Sequence, residues 1–203
     1  MHKLLLGSMV VSAALLVGCG QTTQPNVPQD AGSSSSGGWP LPNGQEAVTA
    51  PAPLTQSGAD ALPVLVGDLG ILKVDGMQEA GTRVLDTQVC KNLQEALHEK
   101  EQANVFVAHD CEKSPVRLTI SDLQGEALFF HLSETTERPA NLFTVIYDIA
   151  RKRMTYLDLT SIQDTDFVYA DNRLYFVFPP LSSPNPKAYA AFDLEEQGMV
   201  YQD

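Results

Sequence analysis

The feature that most restricts how this chain can fold is its similarity to itself. Tyr147-Asp148-Ile149, followed by Met154, Tyr156 and Asp158, recurs as Phe192-Asp193-Leu194, Met199, Tyr201 and Asp203, at an offset of 45 residues for every pair. A weaker copy, Asp122-Leu123 with Leu128 and Phe130, lies 26 residues before the first. Each copy has the pattern of a strand, an aspartate whose carboxylate can accept turn N–H groups, a short polar turn and a returning strand. Around these copies the apolar pattern predicts strands at 116–121, 127–132, 142–148, 154–159, 167–170, 174–178, 188–193 and 199–201. Asp171-Asn172 joins two of them as a tight hairpin turn. Residues 70–75 and 82–85 are weaker strand candidates.

One segment has helical rather than strand periodicity. Thr87 can cap it, and Val89, Leu93, Ala96 and Leu97 follow at helical spacing. The helix is expected over about 87–103, because Val105-Phe106-Val107 has strand composition. The expected fold is therefore mainly β with one helix (α+β), an antiparallel meander forming a sandwich or small barrel, either of which manages the sheet edges. The repeated hairpins resemble blades of β-propellers, whose period is about 45 residues. The resemblance stops at the hairpin: about 140 residues are too few for a closed ring, and the 26-residue offset breaks the period.

The length available to this domain follows from what precedes it. Over 19–62 Gln, Pro, Ser, Gly and Thr dominate, with Ser33-Ser34-Ser35-Ser36-Gly37-Gly38 at the centre and Pro51-Ala52-Pro53 later. Such composition offers too little apolar surface to offset ordering entropy, and is expected to be a disordered tether carrying the lone Trp39. Residues 63–203 are left as one domain. Before the tether, Lys3 precedes an uncharged, mostly apolar run over 4–18. That run is shorter than the roughly 20 residues of a membrane-spanning helix and has the form of an export signal. Its end, Leu16-Val17-Gly18-Cys19, resembles the bacterial lipobox. The resemblance implies that residues 1–18 are removed and that Cys19 is acylated, which attaches the chain to a membrane through its lipid. Gly20 rather than Asp follows the cysteine, and the sorting pattern of many such lipoproteins then implies the outer membrane.

With Cys19 assigned to lipid, Cys90 and Cys111 remain, and an exported chain favours a disulfide between them. A redox or metal-binding pair is the alternative, without CxxC spacing to support it. The formal charge of −12 becomes −13 once Lys3 leaves with the signal. An acidic surface opposes binding to nucleic acid, so no nucleic-acid partner is expected.

A search for catalytic chemistry returns little. His98-Glu99-Lys100-Glu101-Gln102 begins like a zinc-protease motif, but Gln102 stands where a second imidazole is required. His98, His109 and His131 are the histidines of the mature chain, at uninformative spacing. Asp158, Asp164 and Asp166 lack the glycine and third close ligand of a calcium loop. Asp148 and Asp193 could be the acid and base of a glycosidase, yet their place at turn entries explains them more simply. The aromatics Phe129, Phe130, Phe143, Tyr147, Tyr156, Tyr175, Phe176 and Phe178 suit a β core or an exposed ligand strip. No catalytic residue, metal site or cofactor is assigned. The expectation is a non-catalytic envelope module whose partner is an envelope protein complex, a surface layer or the cell-wall polymer. A metal-dependent or carboxylate-based hydrolase and a small-ligand carrier are the alternatives.

Overall fold

The computed structural model describes residues 48–49, 51–160, 166–177 and 189–202. The signal, Cys19, Trp39 and most of the tether lie outside the described residues, as do Asp164, Phe178 and Asp203.

Three eight-residue strands, β3 (Val116–Leu123), β4 (Ala127–Glu134) and β5 (Asn141–Asp148), form the middle of one antiparallel sheet. Their side chains are buried almost without interruption, so both faces of this sheet are covered. The shorter β2 (Gly81–Val84) and β6 (Arg153–Tyr156) complete the order β2-β3-β4-β5-β6, and β2 falls on the strand expected at 82–85. A second antiparallel sheet has the order β1-β7-β8-β9-β10. It is built from β1 (Val48–Thr49), β7 (Asp166–Ala170), β8 (Arg173–Val177), β9 (Tyr189–Asp193) and β10 (Gly198–Gln202). The two sheets stack: Phe129 and Ile146 of the first pack with Phe167, Leu174, Phe176 and Phe192 of the second. Neither sheet closes on itself, so of the two expected arrangements the sandwich is the one formed.

The repeated hairpins have the turn chemistry that their aspartates suggest. Tyr147 faces Met154 and Asp148 faces Arg153 across β5–β6; Phe192 faces Met199 and Asp193 faces Gly198 across β9–β10. Each loop has four residues, and its last residue takes a left-handed backbone, Lys152 at φ 50° and Gln197 at φ 53°. Asp171 and Asn172 both have positive φ, 53° and 57°, as a two-residue type I′ hairpin requires.

The helical part departs from the expectation of one helix and corrects the boundary at 62/63. An additional helix, α1 (Gln56–Leu69), begins inside the segment assigned to the tether. Thr55 caps it, its Oγ1 accepting the Gly58 N–H at 3.1 Å. Gly58, Ala61, Leu62, Leu65, Val66 and Leu69 form its buried stripe, a period hidden by the apparent breakers Ser57, Gly58 and Pro63. Gly58 is required by close approach, since a Cβ there would lie 1.9 Å from Asp122 Oδ2. The expected helix over 87–103 is also shorter. Asp86, not Thr87, caps α2 (Thr87–Leu97), accepting the Val89 N–H at 2.8 Å. A 3-10 turn, Glu101–Ala103, and the single helical turn α3 (Asn104–Val107) follow where a strand was expected. Tertiary contacts override the strand propensity of Val105-Phe106-Val107: Phe106 is fully buried, and the Gln94 amide donates to the carbonyls of Phe106 and His109. Residues 70–75 form turns rather than a strand.

These helices cover the face of the first sheet opposite the second sheet. Leu65, Leu69, Leu93 and Phe106 pack there against Leu118, Phe130, Val145 and Tyr147. Cys90 and Cys111 are joined, with Cα atoms 6.1 Å apart and both residues buried, and the bridge ties α2 to the segment that leads into β3.

Candidate functional site: a cleft beside the third helix

Among the depressions of the described surface, two differ in what their polar groups already do. One, of about 470 Å³, lies where hairpin loops of both sheets converge and is lined by Glu126, Asp148, Ala150, Arg151, Asn172, Leu194 and Glu195. Its central groups are committed to one another. Asp148 Oδ1 accepts the Arg151 N–H at 2.7 Å, while Oδ2 accepts from the Arg151 guanidinium at 2.7 Å and from Gln197 Nε2 at 3.3 Å. Arg151 also donates to the Leu194 carbonyl at 3.2 Å. This depression is therefore a tie between the sheets.

Asp193, the equivalent of Asp148, is committed in the same way. Its Oδ1 accepts the N–H groups of Glu195 and Glu196 at 2.9 and 3.0 Å, and its Oδ2 accepts from Arg173 Nε at 2.7 Å. Burial pushes its carboxyl up, but the Glu196 N–H, the Arg173 side chain and the Glu195 N–H together hold it below the usual carboxylate range. A glycosidase acid needs the opposite shift from that of Asp193, and the hydrogen bonds of both aspartates make them turn builders.

The second depression is a cleft of about 310 Å³ between the 3-10 turn with α3 on one side and β5, β6 and residues 157–160 on the other. Its apolar surface comes from Val105, which is 47% exposed, and the half-buried Tyr156 and Leu157. Behind them Phe143 is buried, its ring centroid 5.8 Å from that of Tyr156. Burial, and to a lesser degree Asp68, pushes the Tyr156 phenol above its ordinary value, so it remains a neutral donor. Around this patch stand Glu101, Gln102 and Asn104, exposed and with side chains hydrogen-bonded to no described residue. Asp158 completes the rim. Its Oδ1 accepts the hydroxyl and N–H of Thr160 at 2.6 and 3.2 Å, bonds that hold its carboxyl below the ordinary range and keep it ionised. An apolar floor with unspent polar groups at its rim is the arrangement of a binding site.

The other sequence candidates lie apart from this cleft. His98 is exposed and contacts the Glu95 carbonyl; His109 contacts the Ser114 carbonyl at 2.7 Å. His131 is buried between the sheets, 5.5 Å from the Phe129 ring centroid and 4.8 Å from that of Phe167, with Nδ1 2.9 Å from Thr144 Oγ1. Burial, and secondarily Arg117, lowers its pKa to about 3 against an opposing hydrogen bond with Asn141, so the ring is a neutral core group. Among the described residues no three His, Cys, Asp or Glu side chains converge in an arrangement that could hold a metal. Of the aromatics, Phe129 and Phe176 fill the space between sheets, and Phe130, Phe143 and Tyr147 face the helices. Of the described members of this set, Phe143 and Tyr156 line the cleft, Phe143 buried and Tyr156 half-buried. Sequence reasoning missed the cleft because its near wall, 101–107, was divided between a helix end and a strand.

The molecule is thus a two-sheet antiparallel β sandwich with a helical cover and a small amphipathic cleft. No protein family, no curated protein and no solved structure matches the chain. No helix among the described residues is long and apolar enough to cross a membrane.

Proposed function

We propose that this chain is a lipid-anchored envelope protein, whose β-rich domain is a non-catalytic binding module held on its tether within reach of an outer-membrane or cell-wall partner. The observation that carries the reading is the agreement between two independent features. The lipobox-like end of the signal implies export and acylation of Cys19, and the remaining cysteines are joined as a buried bridge, which suits an oxidising compartment. The cleft beside α3 supports the binding reading, since polar side chains that bond to no described residue stand around an apolar floor. Its partner is a component of an envelope complex, a surface layer or the cell-wall polymer.

Crosslinking in native membranes, followed by isolation of the chain, tests this function. The proposal expects a reproducible neighbour whose crosslinks map to the β domain; recovery of the chain alone would contradict it. A Cys19→Ala form should leave the membrane fraction while its domain stays folded. If that form still sediments with membranes, contacts of the domain itself hold it there.

A further inference from the structure

The composition of the cleft restricts what it can bind. None of its lining residues is Lys, Arg or His, while Glu101 and Asp158 contribute carboxylates. A phosphate, sulfate or carboxylate entering it would lose water without gaining a counter-charge, and an uncompensated buried charge is costly. The whole chain, at a formal −12, repels anions at longer range as well. Anionic polymers are therefore poor occupants.

A fully apolar ligand fits no better. It would desolvate the rim without supplying the donors that Glu101 and Asp158 require, and unsatisfied polar groups cost more than the apolar contact gains. What the cleft does match is an occupant with a flat C–H face and an edge of hydroxyl or amide donors. The half-buried Tyr156 ring, with Leu157 and Val105 beside it, offers the face. Asp158 accepts at Oδ1 from Thr160 and has Oδ2 outside that bond pair, while Gln102 and Asn104 can both donate and accept. A volume of about 310 Å³ lies at the lower end for ligand pockets, which suits a short stretch of a chain lying across it.

We infer that the cleft formed by Val105, Tyr156, Leu157, Asp158 and the 101–104 turn binds an uncharged carbohydrate chain, with one sugar ring stacked on Tyr156 and its hydroxyls directed to Asp158 and Asn104. This rests on the binding-module reading and names its ligand class. A cationic side chain is the competing occupant, because carboxylates and an aromatic ring also attract amines. The two differ in salt dependence: ion pairing weakens as salt screens it, whereas stacking and neutral hydrogen bonds do not.

The test is an NMR titration of the folded Cys19→Ala chain with three neutral tetrasaccharides of different linkage (chitotetraose, cellotetraose and maltotetraose) and, separately, with a tetralysine peptide. Each is taken to about 10 mM, where even millimolar affinity is visible. At least one tetrasaccharide should give saturable shifts at the amides of Val105, Tyr156 and Asp158. Its affinity should change less than about twofold when salt is raised to about 1 M, where the screening length is only about 3 Å. Tyr156→Ala should weaken it by about tenfold or more, and Tyr156→Phe should retain most of it. Absence of saccharide shifts, shifts confined to another surface, or cleft binding by tetralysine alone would overturn the inference. The membrane crosslinking result is independent of these outcomes: a protein neighbour with no saccharide binding would sink the ligand class and leave the module reading standing.

Discussion

The two faces of the first sheet are covered by different means. On one, α1 and α2 form the cover, and the Cys90–Cys111 bridge fastens α2 covalently to the segment that leads into β3. On the other, the cover is a second sheet, held by aromatic packing around Phe129 and by polar ties that cross between hairpins 45 residues apart. Asp148 and Asp193 show the distinction at the scale of one residue. Both build the same turn with Oδ1, but Asp148 uses Oδ2 to reach Gln197 of the other sheet, whereas Asp193 uses Oδ2 for Arg173 within its own. A repeated local code therefore serves different tertiary purposes, and the two faces should respond to different perturbations: the helical face to reduction, the sheet face to acid.

The largest effect is expected from Phe129→Ala. This ring is fully buried at the sheet interface, so its removal should cost about 3–5 kcal/mol in chemical denaturation. Hydrogen exchange should show β7 to β9 loosening before α2; simultaneous loosening would break the distinction between faces.

Acid should act on the same face at slightly smaller size. The unfolded chain protonates His131 near pH 6.5, whereas in the fold the ring takes its proton only near pH 3, because burial opposes the charge. The unfolded state therefore binds more protons throughout that window. Stability is whole above pH 6.5 and falls as the pH drops toward 3, by on the order of 4 kcal/mol at about 1.4 kcal/mol per unit. Replacing His131 by Gln should flatten this part of the stability–pH curve, though Gln lowers stability at pH 7; an unchanged slope would remove His131 as the cause.

Reduction should do the reverse. Breaking Cys90–Cys111, or replacing both residues by Ser, should cost about 3 kcal/mol, with faster exchange concentrated in α2 and α3. Equal loosening of the second sheet would show that the bridge stabilises more than its own face. The smallest effect sharpens the comparison furthest. A double-mutant cycle between Asp148→Asn and Gln197→Ala should give a coupling of about 1 kcal/mol, and the cycle of Asp193→Asn with Gln197→Ala a value near zero.

What was legible in the sequence follows this division. The strands and turns could be read because side-chain alternation and the carboxylates at 122, 148 and 193 are local signals; Asp122 Oδ1 accepts the Gly125 N–H at 2.6 Å, as its copies led one to expect. The disulfide could be read from compartment and count. α1 was concealed because glycine and proline at 58 and 63 have the composition of a linker, although the glycine is there to let the helix approach Asp122. α3 could not be read, since its helical turn depends on Gln94, ten residues upstream of the segment, capping its carbonyls. The cleft inherits that blindness: one wall is α3, and the other comes from residues 141–160, which only the sheet brings opposite it.

The envelope reading depends on the domain being carried on a lipid anchor, and mass spectrometry of the N-terminal peptide from membrane-extracted protein tests this most directly. The expected species begins at Cys19, lacks residues 1–18, and carries a diacylglyceryl group on its thiol. A peptide that retains Met1, or one that begins elsewhere with an unmodified Cys19, would contradict the account.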